Sequence, residues 1–110
     1  MAQNLKNKYK NEINNIIEQL IKLYHPQKII LFGSITDDCN EDSDIDLFII
    51  KDNIPYYGDE RIRELDKLIK YNIATDFIVY SSKEVEKALK DEDPFIINIL
   101  EKGKVLYNAA

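Results

Sequence analysis

The sequence predicts an α/β (α+β) protein built on a small mixed β-sheet of about three to four strands flanked by helices. Three observations point to it. An early segment repeats apolar residues at three- and four-residue spacing, the period of an amphipathic helix. Two short β-branched runs, 28–32 and 44–51, are joined by too few residues for a crossover helix and therefore pair antiparallel. A third run, 74–80, follows the second through a helical segment, which makes that connection parallel and the sheet mixed.

In chain order, Tyr9, Ile13, Ile16, Ile17, Leu20, Ile21 and Tyr24 form the stripe of the first helix, which covers one face of the sheet. Pro26 ends that helix and pushes His25 out of helical geometry. His25 is the only histidine, and its place suits a helix C-terminus favoured by the dipole more than a catalytic base. Lys28 to Phe32 is a buried strand, Gly33-Ser34 a turn, and Ile35 to Ser43 a loop carrying Asp37, Asp38, Glu41 and Asp42. Asp44 to Lys51 is the second strand, closed by the turn cluster Asp52-Asn53-Ile54-Pro55. Asp59 to Tyr71 is a second helix with Asp59 as N-cap, Asn72 as C-cap, a stripe of Ile62, Leu65, Leu68 and Ile69, and Arg61 and Arg63 on other faces. Ala74 to Tyr80 is the third strand. Ser81 and Glu84 are spaced as a capping box opening a helix to about Lys90. Asp93-Pro94 caps a last helix, Phe95 to Lys102, closed by Gly103. Lys104 to Tyr107 is a short final strand.

A length of 110 residues is expected to form a single domain, 1–110, with a real core and no room for a second. Hydrophobic residues at 45% and charged residues at 32% are those of a soluble globular chain. The net charge of −5 disfavours nucleic acid and anionic membranes, which need basic patches, but leaves room for a local site taking a metal-bound nucleotide. A lone cysteine, Cys39, cannot form an internal disulfide, and with no signal-peptide pattern it suits a reducing, cytoplasmic setting. No apolar run approaches the roughly 20 residues of a membrane helix. Homo-oligomerisation is left open.

The chemistry concentrates around the first turn. In a strand, residues i and i+2 share a face about 6.6 Å apart, so Asp44 and Asp46 point one way while Ile45 and Leu47 enter the core. Two carboxylates about 6 Å apart repel by roughly 3 kcal/mol at an effective dielectric of about 20. A divalent cation between them turns that repulsion into coordination. Asp76 opens the third strand, and on a parallel neighbour it comes to the same sheet end. It is a candidate third carboxylate and general base, or else a turn residue of the Ala74-Thr75-Asp76 stretch. Three carboxylates suit one or two metals about 3.5–4 Å apart, the arrangement that activates a hydroxyl for in-line attack on phosphorus. Gly33 lets backbone approach a phosphate closely, and the following amides and the Ser34 hydroxyl add donors. The pattern is not a P-loop, which needs Gly-Lys-Ser/Thr opening a helix. It is not an EF-hand, since Leu47 stands where the loop glycine belongs. Nor does it suit a phosphohydrolase in which Asp-x-Asp follows an apolar strand, because here it precedes one.

Phe32-Gly33-Ser34, nine residues, and then Asp44-Ile45-Asp46-Leu47 resemble the signature of the DNA polymerase β-like nucleotidyltransferase superfamily. The likeness is to its minimal stand-alone members, the MNT domains of prokaryotes, including those acting as antitoxins. It runs through nearly the whole chain to the ending Leu100-Glu101-Lys102-Gly103-Lys104-Val105-Leu106-Tyr107. The resemblance implies a nucleotidyltransferase fold, with Gly33 and Ser34 holding nucleoside triphosphate. It implies two Mg²⁺ ions on Asp44, Asp46 and Asp76. The reaction would be transfer of AMP from ATP to a hydroxyl acceptor, with a tyrosine of a helical HEPN toxin as the acceptor in the antitoxin members. The relatives usually carry Arg and Gly soon after Gly-Ser, where this chain has Ile35-Thr36-Asp37-Asp38. That difference keeps open an alternative, a catalytically weak antitoxin that neutralises its helical partner by binding alone.

Overall fold

The computed structural model describes residues 2–33 and 43–109, with side chains from residue 6 onward. Four strands, β1 (Lys28–Phe32), β2 (Ile45–Ile50), β3 (Thr75–Tyr80) and β4 (Lys104–Asn108), form one sheet in the order β3-β2-β1-β4. β1 pairs antiparallel with β2 and with β4, and β2 pairs parallel with β3. The mixed sheet and both predicted strand directions are therefore observed.

Helices cover both faces. α1 (Ala2–Gln19), its π-helical extension Leu20–Tyr24, and α2 (Gly58–Leu68) lie on one side. α3 (Ser82–Lys90) and α4 (Pro94–Lys102) lie on the other. The strand period of two divides the core accordingly. Ile29, Leu31, Ile45, Leu47, Ile49, Phe77 and Val79 pack against Ile16, Leu20 and Leu65. Ile30 and Phe48 pack against Val85, Ala88, Ile96 and Ile99. Asp46 and Asp76 share strand parity with Phe48 and Ile78, which puts both aspartates on the α3/α4 side.

The helix ends show which local signals held. Ser81 accepts from the Glu84 N–H, and Glu84 accepts from the Ser81 N–H, the reciprocal capping box that the sequence predicts. Asp93 accepts from the N–H groups of Phe95 and Ile96 with Pro94 at the first helical position. The two ends of α2 need correction, while His25 and Gly103 end their helices as expected. His25 leaves helical geometry for the left-handed region, with φ 57° and ψ 55°. Its N–H bonds the Leu20 carbonyl at 3.0 Å, and this capping bond outweighs the preference imposed by Pro26. α2 is capped by the Tyr57 backbone rather than by Asp59, which stands in the first turn and pairs with Arg63 at 2.6 Å. α2 ends with Ile69 extended, well before Asn72. The reason is competition: Gln19 of α1 donates to the Lys70 carbonyl at 2.7 Å and accepts from the Lys70 N–H at 2.8 Å. Gly103 ends α4 at φ −68°, so its glycine is not required by handedness. It is required by space, because a Cβ there would overlap the Ile99 carbonyl and the Ile30 side chain.

Arg61 departs furthest from expectation. It is buried, only 7% exposed, rather than on an open helix face. Its guanidinium forks onto both carboxylate oxygens of Glu84 at 2.9 and 3.1 Å. It also donates to the carbonyls of Pro55, Tyr56 and Val79 at 2.7, 3.1 and 2.8 Å. One side chain thus ties α2, α3, β3 and the loop after β2 together.

Candidate active site

The site lies where β1 ends and β2 and β3 begin. Asp46 and Asp76 are register partners on adjacent parallel strands, and Phe32 is the partner of Asp46 on the other side. Burial and the like charge of Asp76 and then Asp44, together with a side-chain hydrogen bond to Asp76, push the Asp46 carboxyl up to about 6. Asp46 therefore takes up a proton more readily than an ordinary carboxyl, because the paired strands fix it beside Asp76.

Gly33 closes the other side. Its φ is +85°, and a Cβ there would collide with the Asp46 carboxylate. Only glycine serves at this position, both for the left-handed backbone and for the close approach. Asp44 is exposed, precedes the strand, and lines a cleft with Lys8, Tyr9, Ser43 and Asn72 on the α1 side. It reaches Asp46 electrostatically. Ser34, Asp37, Asp38, Cys39, Glu41 and Asp42 lie outside the described residues.

Of the residues predicted from sequence, the fold thus brings Asp46, Asp76 and Gly33 into contact and keeps Asp44 at the rim. Among the described residues, no group of three or more His, Cys, Asp or Glu forms a ready-made metal cage. The donor chemistry still fits a hard divalent ion. The donors are oxygen only, the like charges of Asp46 and Asp76 repel in a way that a cation would relieve, and Mg²⁺ ordinarily takes one or two carboxylates with water and substrate phosphate completing its shell.

Two residues that set this geometry were not singled out from sequence. The Tyr9 hydroxyl donates to the Ser43 carbonyl at 2.6 Å, fixing the approach to Asp44. Glu12, 7% exposed, accepts from the N–H groups of Asn72 and Ile73, fixing the turn that leads to Asp76. The signal was present, since Glu12 sits one turn from Tyr9 and Ile16, a charge on the apolar stripe. Both the Asn72 and Ile73 N–H groups reach Glu12 Oε2, and Oε1 accepts from Asn15 Nδ2 at 3.3 Å, so Glu12→Gln removes the charge that strengthens these bonds and turns its NH₂ toward the Asn15 amide. It is expected to cost about 1–2 kcal/mol, read as a lower denaturation midpoint at unchanged slope.

A paired carboxylate site beside a positive-φ glycine, at one end of a helix-flanked mixed sheet, is suited to metal-assisted transfer of a phosphorus-bearing group. Over residues 14–110 the sequence matches the family model described as polymerase beta, nucleotidyltransferase. The match covers most of the chain, and the protein belongs to this nucleotidyltransferase family, which makes it a transferase by class. Comparison with curated proteins and with solved structures returns no match.

Proposed function

We propose that the protein is a Mg²⁺-dependent nucleotidyltransferase of the MNT type that transfers AMP from ATP to a hydroxyl, the acceptor being a tyrosine of a helical HEPN toxin that it thereby neutralises. The observation that carries this reading is the Asp46–Asp76 pair, coupled on adjacent parallel strands against Gly33. Asp46 and Asp76, with Asp44 beside them, would hold the metal, which when bound neutralises charge on the transferred phosphate. The residues themselves supply orientation and proton handling. Asp76 takes the proton of the attacking hydroxyl. The acceptor oxygen bonds to the α-phosphorus, the bond from that phosphorus to the bridging oxygen breaks, and pyrophosphate leaves. Gly33 keeps the ground beside Asp46 free of side-chain atoms, so that the triphosphate can lie against backbone.

Among the described residues, no helix is long and apolar enough to cross a membrane. The test uses ATP labelled at the α- or the γ-phosphate, Mg²⁺, and the product of the neighbouring gene. Label at the α-position should appear on the partner, and label at the γ-position should leave as pyrophosphate. Transfer of γ-label to the partner would make the chain a kinase and overturn the reading. Neutralisation that survives Asp46→Asn with no labelling would instead favour action by binding alone, which the acidic stretch Asp37-Asp38 motivates.

A further inference from the structure

We infer that the cavity between the end of β1 and α4 is the nucleotide pocket, with Lys102 receiving the phosphates and Phe95 carrying the base. The inference rests on the nucleotidyltransferase reading above and assigns residues that the reading leaves open.

The cavity measures about 410 Å³ and is lined by Phe32 and Gly33 from the strand side and by Phe95, Asn98, Ile99 and Lys102 from α4. That volume lies within the roughly 300–1,000 Å³ typical of small-ligand sites. It borders the carboxylate pair, because Gly33 lines the cavity and also abuts Asp46. It also opens on the correct side of the sheet. Phe32 is the register partner of Asp46, and the strand parity of Asp46 and Asp76 points both toward the α3/α4 layer.

The α4 wall has the layout of a nucleotide. Residues 95, 98, 99 and 102 recur at helical spacing and form one stripe. Seven residues at 1.5 Å rise make it about 10 Å long, the scale of a nucleoside with its phosphates. Phe95 stands at one end, 49% exposed, with Phe32 packed edge-on at 6.1 Å, which leaves ring surface open for stacking. Lys102 stands at the other end. It is the only charged residue lining the cavity and pairs with no carboxylate among the described residues. An anion entering the field of Asp44, Asp46 and Asp76 needs such a cation nearby. The amide of Asn98 lies between the two ends and offers a donor and an acceptor. A last-turn lysine serving only the helix dipole would not need an aromatic and an amide on the same wall.

The experiment titrates ATP with Mg²⁺, and adenosine separately, into the wild-type chain and into Lys102→Ala, Lys102→Arg, Phe95→Ala and the distant control Lys90→Ala. Lys102→Ala should weaken ATP about 10- to 100-fold while leaving adenosine unchanged, and Lys102→Arg should recover most of the loss. Phe95→Ala should weaken ATP and adenosine alike, by about 5- to 100-fold. Lys90→Ala should do neither. Wild-type footprinting needs no variant: ATP should protect Lys102, and not Lys90, from acetylation. ATP binding that is unchanged in both Lys102→Ala and Phe95→Ala, or no protection of Lys102, overturns the assignment while leaving the transferase reading intact. A wild-type chain that binds no ATP overturns both.

Discussion

Asp46→Asn should abolish transfer and stabilise the metal-free fold at the same time. Loss of a charged group that acts on the transferred phosphate lowers the rate by about 10³-fold or more. Stability moves the other way for an electrostatic reason. Burial, then Asp76 and Asp44, raise the Asp46 carboxyl from 3.8 to about 6. In the unfolded chain none of these acts, so between those values the folded state binds more protons than the unfolded one. Ionised Asp46 therefore costs stability above about pH 6, and the cost fades as the pH falls from about 6 toward 3.8. A shift of about two units corresponds to ~3 kcal/mol in full isolation from water. Because the group is only partly buried, screening reduces this to about 1 kcal/mol. Denaturation at pH 7.5 should show Asp46→Asn more stable by that amount, with the difference vanishing near pH 4. Mg²⁺ should stabilise the wild-type chain and not the variant, and should lose its effect as protons compete below about pH 6.

Arg61→Ala should be the most damaging substitution away from the site. It leaves the Pro55, Tyr56 and Val79 carbonyls without this donor and leaves Glu84 without its fork. Breaking a buried ion pair from one side costs about 3–5 kcal/mol. The Glu84 side chain remains 43% exposed and can recover water, so the lower end, about 3 kcal/mol, is expected. For a chain of this size that is a fall in Tm of about 15 °C. Arg61→Lys should rescue little, because one ammonium cannot reproduce a planar fork together with three carbonyl contacts. In the wild type, burial alone would raise the Glu84 carboxyl, but the Arg61 and Ser81 hydrogen bonds outweigh it and hold it low. Glu84 thus contributes stability at neutral pH that is lost as the pH falls through its lowered value, and Arg61→Ala should blunt that acid sensitivity.

Much of this architecture was legible because local and long-range signals agreed. The capping box at Ser81 and the cap at Asp93 are written in adjacent residues, and both formed. Strand directions followed from connection lengths, and the parallel pairing of β2 with β3 set Asp76 beside Asp46 as anticipated. What sequence concealed were side chains whose partners lie far along the chain. Arg61 reads as a surface arginine until β3 and α3 arrive to surround it. Asn72 reads as a cap until Gln19, 51 residues from Lys70, takes the backbone groups of the turn. Gly103 reads simply as the end of the last helix, and the space constraint that Ile30 from another element places on it is invisible in sequence. The pocket wall was likewise invisible, since Phe95, Asn98 and Lys102 become one surface only when α4 lies over the end of β1.

Coupling between Asp46 and Asp76 is the centre of the account, and a double-substitution cycle on the transfer rate tests it most directly. Asp46→Asn, Asp76→Asn and the double variant are compared with wild type, using α-labelled ATP, Mg²⁺ and the proposed acceptor protein. Residues that act as one unit are not additive, so the double variant should fall no further than the worse single one. Losses that multiply, or labelling retained in both single variants, would contradict a shared site.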